Sequence, residues 1–133
     1  MIVDSSALIA ILKNEPEAEA FAHALEGASI VRVSAATYLE THMVTAGYRN
    51  PKLTARLDEI LDNPAVQIEP VTAEQARIAR QAYRDYGRSS GHPANLNFGD
   101  CFSYALARAT REPILFKGDD FLHTDLRSAL DAG

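Results

Sequence analysis

The chain has 133 residues, 47% of them hydrophobic, with a formal net charge of −5, a length and content that fit one domain over 1–133 with a core needing no staples. The single cysteine, Cys101, excludes an internal disulfide and fits a reducing cytoplasm, and no charged leader or membrane-length apolar run argues for a signal peptide or a membrane span. The acid excess opposes bulk attraction to nucleic acid but leaves room for a local basic groove.

Met1-Ile2-Val3-Asp4 reads as a short buried strand, and Ser5 or Ser6 can cap a helix through Ala7 to Leu12. A second helix follows Pro16 and ends at Gly27. Ser29 to Val33 is a β-branched strand, after which Ser34 caps a helix to about Tyr48. Pro51 opens a helix that Asn63-Pro64 breaks. Val66 to Glu69 is a third strand, and Thr72 caps a helix from Ala73 to Tyr86. Gly87 to Leu96 is a polar loop. From Phe98 to Ala109 the pattern is apolar almost all round, which predicts a buried helix, with Asp100 in its first turn. Pro113 to Phe116 is a fourth strand, and Gly118-Asp119-Asp120-Phe121 turns into a short last element.

Strands alternating with helices predict an α/β domain with a central parallel sheet of four or five short strands flanked by helices. Ligands of such sheets bind beyond the C-terminal strand ends. Acids recur there: Asp4 ends the first strand, Asp119 and Asp120 follow the fourth, and Asp100 opens the helix leading into it. Glu40 falls on the stripe Ala36, Leu39, Met43, Val44 and Gly47, read as core-facing, where an ionised carboxylate needs a partner. Each acid has an ordinary explanation: an ion pair for Glu40, an N-cap for Asp4, a first-turn residue for Asp100. Together they suggest a common cause. Clustered carboxylates repel unless protonated or bridged by a cation, and oxygen-only ligands suit Mg²⁺ or Mn²⁺. No Cys/His spacing indicates zinc, the four histidines read as surface or structural residues, and Cys101 reads as core filler. Such a site is equipped for phosphodiester hydrolysis. Arg77, Arg80, Arg84 and Arg88 follow steps of three, four and four, a solvated face or a phosphate track in which Arg84 and Arg88 are candidate RNA contacts.

The opening Ile-Val-Asp-Ser-Ser, the helical Tyr38-Leu39-Glu40, the stretch Asn97-Phe98-Gly99-Asp100-Cys101-Phe102 and the late Gly118-Asp119-Asp120-Phe121 resemble the PIN-domain ribonucleases. Within them the chain is most similar to the VapC-type toxins of bacterial toxin–antitoxin pairs, end to end and in order. The resemblance implies a PIN fold and a Mg²⁺-dependent endoribonuclease acting on structured RNA, tRNA included. It implies a homodimer and a VapB-type antitoxin that covers the active site. It assigns the acids to Asp4, Glu40 and Asp100, with Asp119 preferred to Asp120 as the fourth. Two rival readings are a phosphoacceptor domain of the response-regulator kind and a catalytically silent PIN scaffold. The first lacks adjacent acids after strand one and an acceptor Asp after strand three, which ends in Glu69-Pro70. A haloacid-dehalogenase-like site would need its second Asp at Ser6.

Overall fold

The computed structural model describes residues 1–131. Four parallel strands, β1 (Ile2–Val3), β2 (Val31–Ser34), β3 (Val66–Glu69) and β4 (Ile114–Leu115), lie in the order β3-β2-β1-β4. The helices are α1 (Ser5–Leu12), α2 (Ala18–Gly27), α3 (Ala35–Gly47), α4 (Pro51–Leu61), α5 (Ala73–Tyr86) and α6 (Phe98–Thr110). A short 3-10 helix, Asp120–His123, follows β4.

Alternation along the two shortest strands divides the core. In β1 and β4, Val3 and Leu115 pack with α1, α2 and α4 on one side. Their neighbours Ile2 and Ile114 pack with α5 and α6 on the other. Successive side chains of a strand point to opposite faces, so both strands read as continuous apolar runs buried twice over. β3 is an edge strand, and Gln67 and Ile68 stay exposed on it. The order reverses at β1, whose neighbours are β2 on one side and β4 on the other. The crevice beyond the ends of β1 and β4 is therefore the switch point where α/β sheets bind ligands.

Three local expectations are corrected. The cap of α1 is Asp4 and not Ser5 or Ser6; its side chain accepts the Ser6 N–H. In α3 the stripe of Leu39, Met43 and Val44 faces out, at 59%, 66% and 41% exposure. Thr37, Thr41 and Thr45 face in. They can be buried because Thr41 and Thr45 each donate to the carbonyl four residues back, at 2.7 Å, which satisfies the hydroxyls. In α6 the buried residues are Cys101, Ser103, Tyr104, Ala105, Leu106 and Ala107, while Phe98 is 78% exposed. Phe98 is the first residue after the Asn97 cap and projects past the edge of the core.

No helix among the described residues is long and apolar enough to cross a membrane.

Candidate active site

Asp4 is the centre of the crevice. It is 2% exposed, and both of its oxygens are engaged. The Ser6 hydroxyl donates to Oδ2 at 2.7 Å and the Ser6 N–H at 3.1 Å. The Ser103 hydroxyl donates to Oδ1 at 2.5 Å. Ser103 in turn lies 3.2 Å from the Thr37 hydroxyl, so α3 and α6 both brace the carboxylate. Ser6 also accepts the Lys117 N–H at 3.0 Å, tying the segment after β4 to the same acid. These bonds fix the Asp4 rotamer while charge-assisted donors offset part of its burial.

Two further acids surround it. Glu40 is half-buried beside the Ser5 hydroxyl; burial pushes its carboxyl up, Ser5 lowers it, and the Asp4 charge raises it again. Its carboxylate lies over the backbone of Gly99, where a Cβ would collide with Oε2. Glycine there is what allows the approach. Asp100 forms a capping box with Asn97, accepting the Asn97 N–H at 3.0 Å while Asn97 accepts the Asp100 N–H at 2.9 Å. Burial first, and then Asp4 and Asp120, push the Asp100 carboxyl up to about 7, against the lowering effect of the Asn97 N–H.

Next to Asp100 lies Asp120 and not Asp119, the one preferred on the sequence. Asp120 is the group that lies against the Asp100 carboxyl. Asp119 opens the 3-10 helix with no side-chain hydrogen bond. Gly118, at φ +97°, reverses the chain after β4, and Phe121 packs on Phe116 at 5.3 Å. That pairing holds Asp120, in the first 3-10 turn, toward α6. The result is a row in which Glu40 adjoins Asp4, Asp4 adjoins Asp100, and Asp100 adjoins Asp120.

Among the described residues no basic group lies within ion-pair distance of these four acids. Lys117, the nearest lysine or arginine in sequence, is held by Glu15 and, at 3.4 Å, by Glu17. The buried ion pair that would have explained Glu40 is thus absent among them. The donor set is oxygen-only, charged alike and uncompensated, which suits a hard divalent cation. Among the described residues, however, no group of three His, Cys, Asp or Glu side chains is close enough to clasp an ion directly. Three of these side chains therefore do not meet one ion by direct bonds alone. An ion here would keep several of its waters, as Mg²⁺ commonly does.

The other candidates sort clearly. Cys101 is buried, and burial pushes its thiol up to about 11, which leaves it inert. His42 binds the Tyr38 carbonyl at 2.9 Å and Asp58 at 3.2 Å, a structural role. Glu69, at the end of β3, is bonded to Arg32 at 2.7 Å, so the phosphoacceptor reading finds no free acid there. A groove of about 790 Å³ runs from Glu40 between α5 and α6, and Arg80 and Arg88 line it. Arg84 does not. Ala76, Ala79, Arg80 and Tyr83 form the groove-facing stripe at i, i+3, i+4 and i+7, and Arg84 lies a further 100° round. Arg88 reaches the groove because α5 ends at Tyr86 and the loop doubles back, with the Arg88 N–H on the Leu96 carbonyl at 3.0 Å.

Ser103 and Thr37 are not singled out for the site in the sequence, Ser6 enters there only as a possible cap and motif residue, and Gly99 and Arg80 only as members of a motif and of the arginine stripe. Ser103 had a signal, as a polar residue inside the buried stretch of α6, three residues after Asp100.

Comparison with known proteins follows the same lines. A family model described as PIN domain matches residues 1–126. Ribonuclease VapC28 of Mycobacterium tuberculosis is 56% identical over 131 residues, 98% of each chain. Ribonuclease VapC42 of the same organism is 51% identical over 129 residues, 97% of this chain and 98% of that one. The crystal structure of Mycobacterium tuberculosis VapC20, described as a sarcin-ricin loop cleaving toxin, superposes with a TM-score of 0.72 at 19% identity. It covers 94% of this chain and 95% of its own. A chain of a toxin–antitoxin complex from Klebsiella pneumoniae gives 0.68 at 17% identity, over 90% and 88%. At these identities the two structures speak to the fold alone.

Proposed function

Since the chain belongs to the PIN domain family, we propose that it is an endoribonuclease toxin of the VapC kind whose cleavage of RNA depends on a divalent cation. The observation that carries this reading is the row Glu40, Asp4, Asp100 and Asp120, uncompensated by any cation of the described chain. Asp4, Glu40 and Asp100, with Asp120 beside them, would hold Mg²⁺ or Mn²⁺. The bound ion would supply an activated water and offset charge on the phosphate oxygens.

The chain's own residues prepare that chemistry. Ser6 and Ser103 lock the Asp4 rotamer and leave one lone-pair site, on Oδ1, unused. Gly99 gives Glu40 room at the start of α6. Without an ion the Asp100 carboxyl lies near 7 and Asp120 beside it can accept that proton's hydrogen bond; a bound cation would take the proton's place.

An antitoxin partner is part of this reading, in line with the complex to which the fold is similar; it would insert a basic side chain among the acids. A homodimer is proposed as well. The outward stripe Leu39, Met43 and Val44 on α3 is an apolar surface suited to a protein partner. Structured RNA, tRNA included, is the proposed substrate class.

The test is direct. Purified protein incubated with total bacterial RNA should produce internal cuts with Mg²⁺ and none with EDTA, read by mapping new 5′ ends. Undiminished cutting in EDTA would overturn the metal dependence. Absence of cutting on any RNA, alone or in cells, would return the chain to a silent scaffold.

A further inference from the structure

The groove beside the acid row has a composition that the fold does not use. Phe98 stands at its edge, 78% exposed, and is held at 90° against Phe102 with ring centroids 4.8 Å apart. An aromatic ring this exposed contributes little to a core, yet here it is fixed in direction and one residue from Gly99, over which Glu40 lies. Across the groove are Tyr83, 37% exposed, and Arg80, with Arg88 at the mouth. A side chain at Gly87 would run into the Tyr83 ring and carbonyl, so glycine lets the loop turn tightly and carry Arg88 inward. Neither arginine has an ion-pair partner among the described residues. Both guanidinium groups line the groove without a carboxylate of the described residues to hold them, which leaves them available to an anion.

Resting on the reading that the acid row cuts RNA, we propose that this groove receives an unpaired RNA segment, one base stacked on Phe98 and neighbouring phosphates on Arg80 and Arg88. Stacking on an aromatic face needs a base free of its own neighbours, which selects loops, bulges and single strands over continuous duplex. Arginine pairs well with phosphate oxygens, and the two cations offset the repulsion that the acid row exerts on a polyanion. Stacking carries little sequence information, so the groove sets the strand state of the substrate more than its sequence. An apolar protein segment is the competing occupant. Phe98 and Phe102 also border the apolar stripe of α3, with Leu39, Met43 and Val44; the arginines on the α5 side of the groove are what favour the polyanion there.

The experiment measures binding without cleavage. A fluorescein-labelled unpaired RNA oligonucleotide is titrated with wild type, Phe98→Ala, Phe98→Tyr and the double variant Arg80→Gln/Arg88→Gln, in EDTA and over a range of salt. Phe98→Ala should weaken binding roughly tenfold or more, and Phe98→Tyr, which keeps the ring, should restore it. The arginine pair should flatten the slope of log K against log salt by about 1.4, or 0.7 for each phosphate contact. The same sequence as a perfect duplex should bind more weakly and ignore Phe98→Ala. Equal affinity of wild type and Phe98→Ala for the unpaired strand would overturn the proposal. So would a Phe98→Ala protein that changes its oligomeric state with RNA affinity intact, which would give the groove to a protein. A chain that cuts RNA but binds it equally without Phe98 refutes this inference alone. One that binds through Phe98 and never cuts refutes only the proposed activity.

Discussion

Replacing Asp100 by Asn should stabilise the protein without a divalent ion and destabilise it, relative to wild type, with one. The Asp100 carboxyl is pushed up to about 7 by burial and by Asp4 and Asp120. An unfolded chain would hold it near 3.9. Three units at about 1.4 kcal/mol each set a ceiling of about 4 kcal/mol. The group is partly exposed, and solvent screening reduces this to about 2 kcal/mol. Asparagine keeps an oxygen to accept the Asn97 N–H, so the capping box can survive. The sign follows from proton counting. Between about pH 4 and pH 7 the metal-free native state holds a proton that the unfolded state has lost, so stability falls as pH rises through that window. Above pH 7 the full loss is present, and Asp100→Asn escapes it. In EDTA the variant should melt about 6 °C above wild type at pH 8, taking about 3 °C per kcal/mol for a domain of this size. The gap should close toward pH 4. With Mg²⁺ at about a hundred times its Kd, wild type gains about 2.7 kcal/mol and the variant little, so the order inverts. Circular dichroism melts at pH 5 and pH 8, in EDTA and in Mg²⁺, read all four conditions. A variant less stable than wild type in EDTA at pH 8, or a gap independent of pH, would refute the reasoning.

Glu40→Gln should also raise the metal-free melting temperature, because burial and Asp4 push the Glu40 carboxyl up; a fall in the same EDTA melts would mean that a stabilising partner had been lost. Gly99→Ala should lower RNA cleavage roughly a hundredfold, since its Cβ would displace the Glu40 carboxylate. Its far-ultraviolet circular dichroism should stay that of wild type. Ser103→Ala removes the 2.5 Å bond to buried Asp4, and urea unfolding should show a loss of about 1.5–3 kcal/mol, the range for hydrogen bonds to charged groups. Ser103→Thr, which keeps the hydroxyl, should lose less.

The strands and most helices were legible because their signals are local. Thr72 caps α5, Gly27 closes α2, and Val66 to Glu69 forms β3 at the expected bounds. The position of the acids at strand and helix ends was legible too, since it follows from chain order. What failed were side-chain directions decided by neighbours distant in sequence. The apolar stripe of α3 read as core-facing, but the inner stripe is Thr37, Thr41 and Thr45. Their hydroxyls are satisfied within the helix, and Thr37 also meets Ser103, 66 residues away, which no periodicity reports. Phe98 reads as buried because hydropathy does not report direction: Leu96 and Cys101 on either side enter the core, while Phe98 points away from it. Asp119 and Asp120 are equivalent in sequence, and only the reversal at Gly118 and the seating of Phe121 separate them. Of the two candidate arginines Arg88 lines the groove and Arg84 does not, because α6 decides which face of α5 forms the wall.

The central claim, that the acid row is a cation-dependent centre for cutting RNA, is tested most directly by single-turnover cleavage of a mapped RNA site. Wild type, Asp4→Asn and Asp100→Asn are compared side by side with Mg²⁺ present, after each variant's fold is checked by circular dichroism. The account predicts that wild type cuts at the mapped site and that both folded variants are inactive. Cleavage by folded Asp4→Asn or Asp100→Asn at the wild-type rate would contradict it.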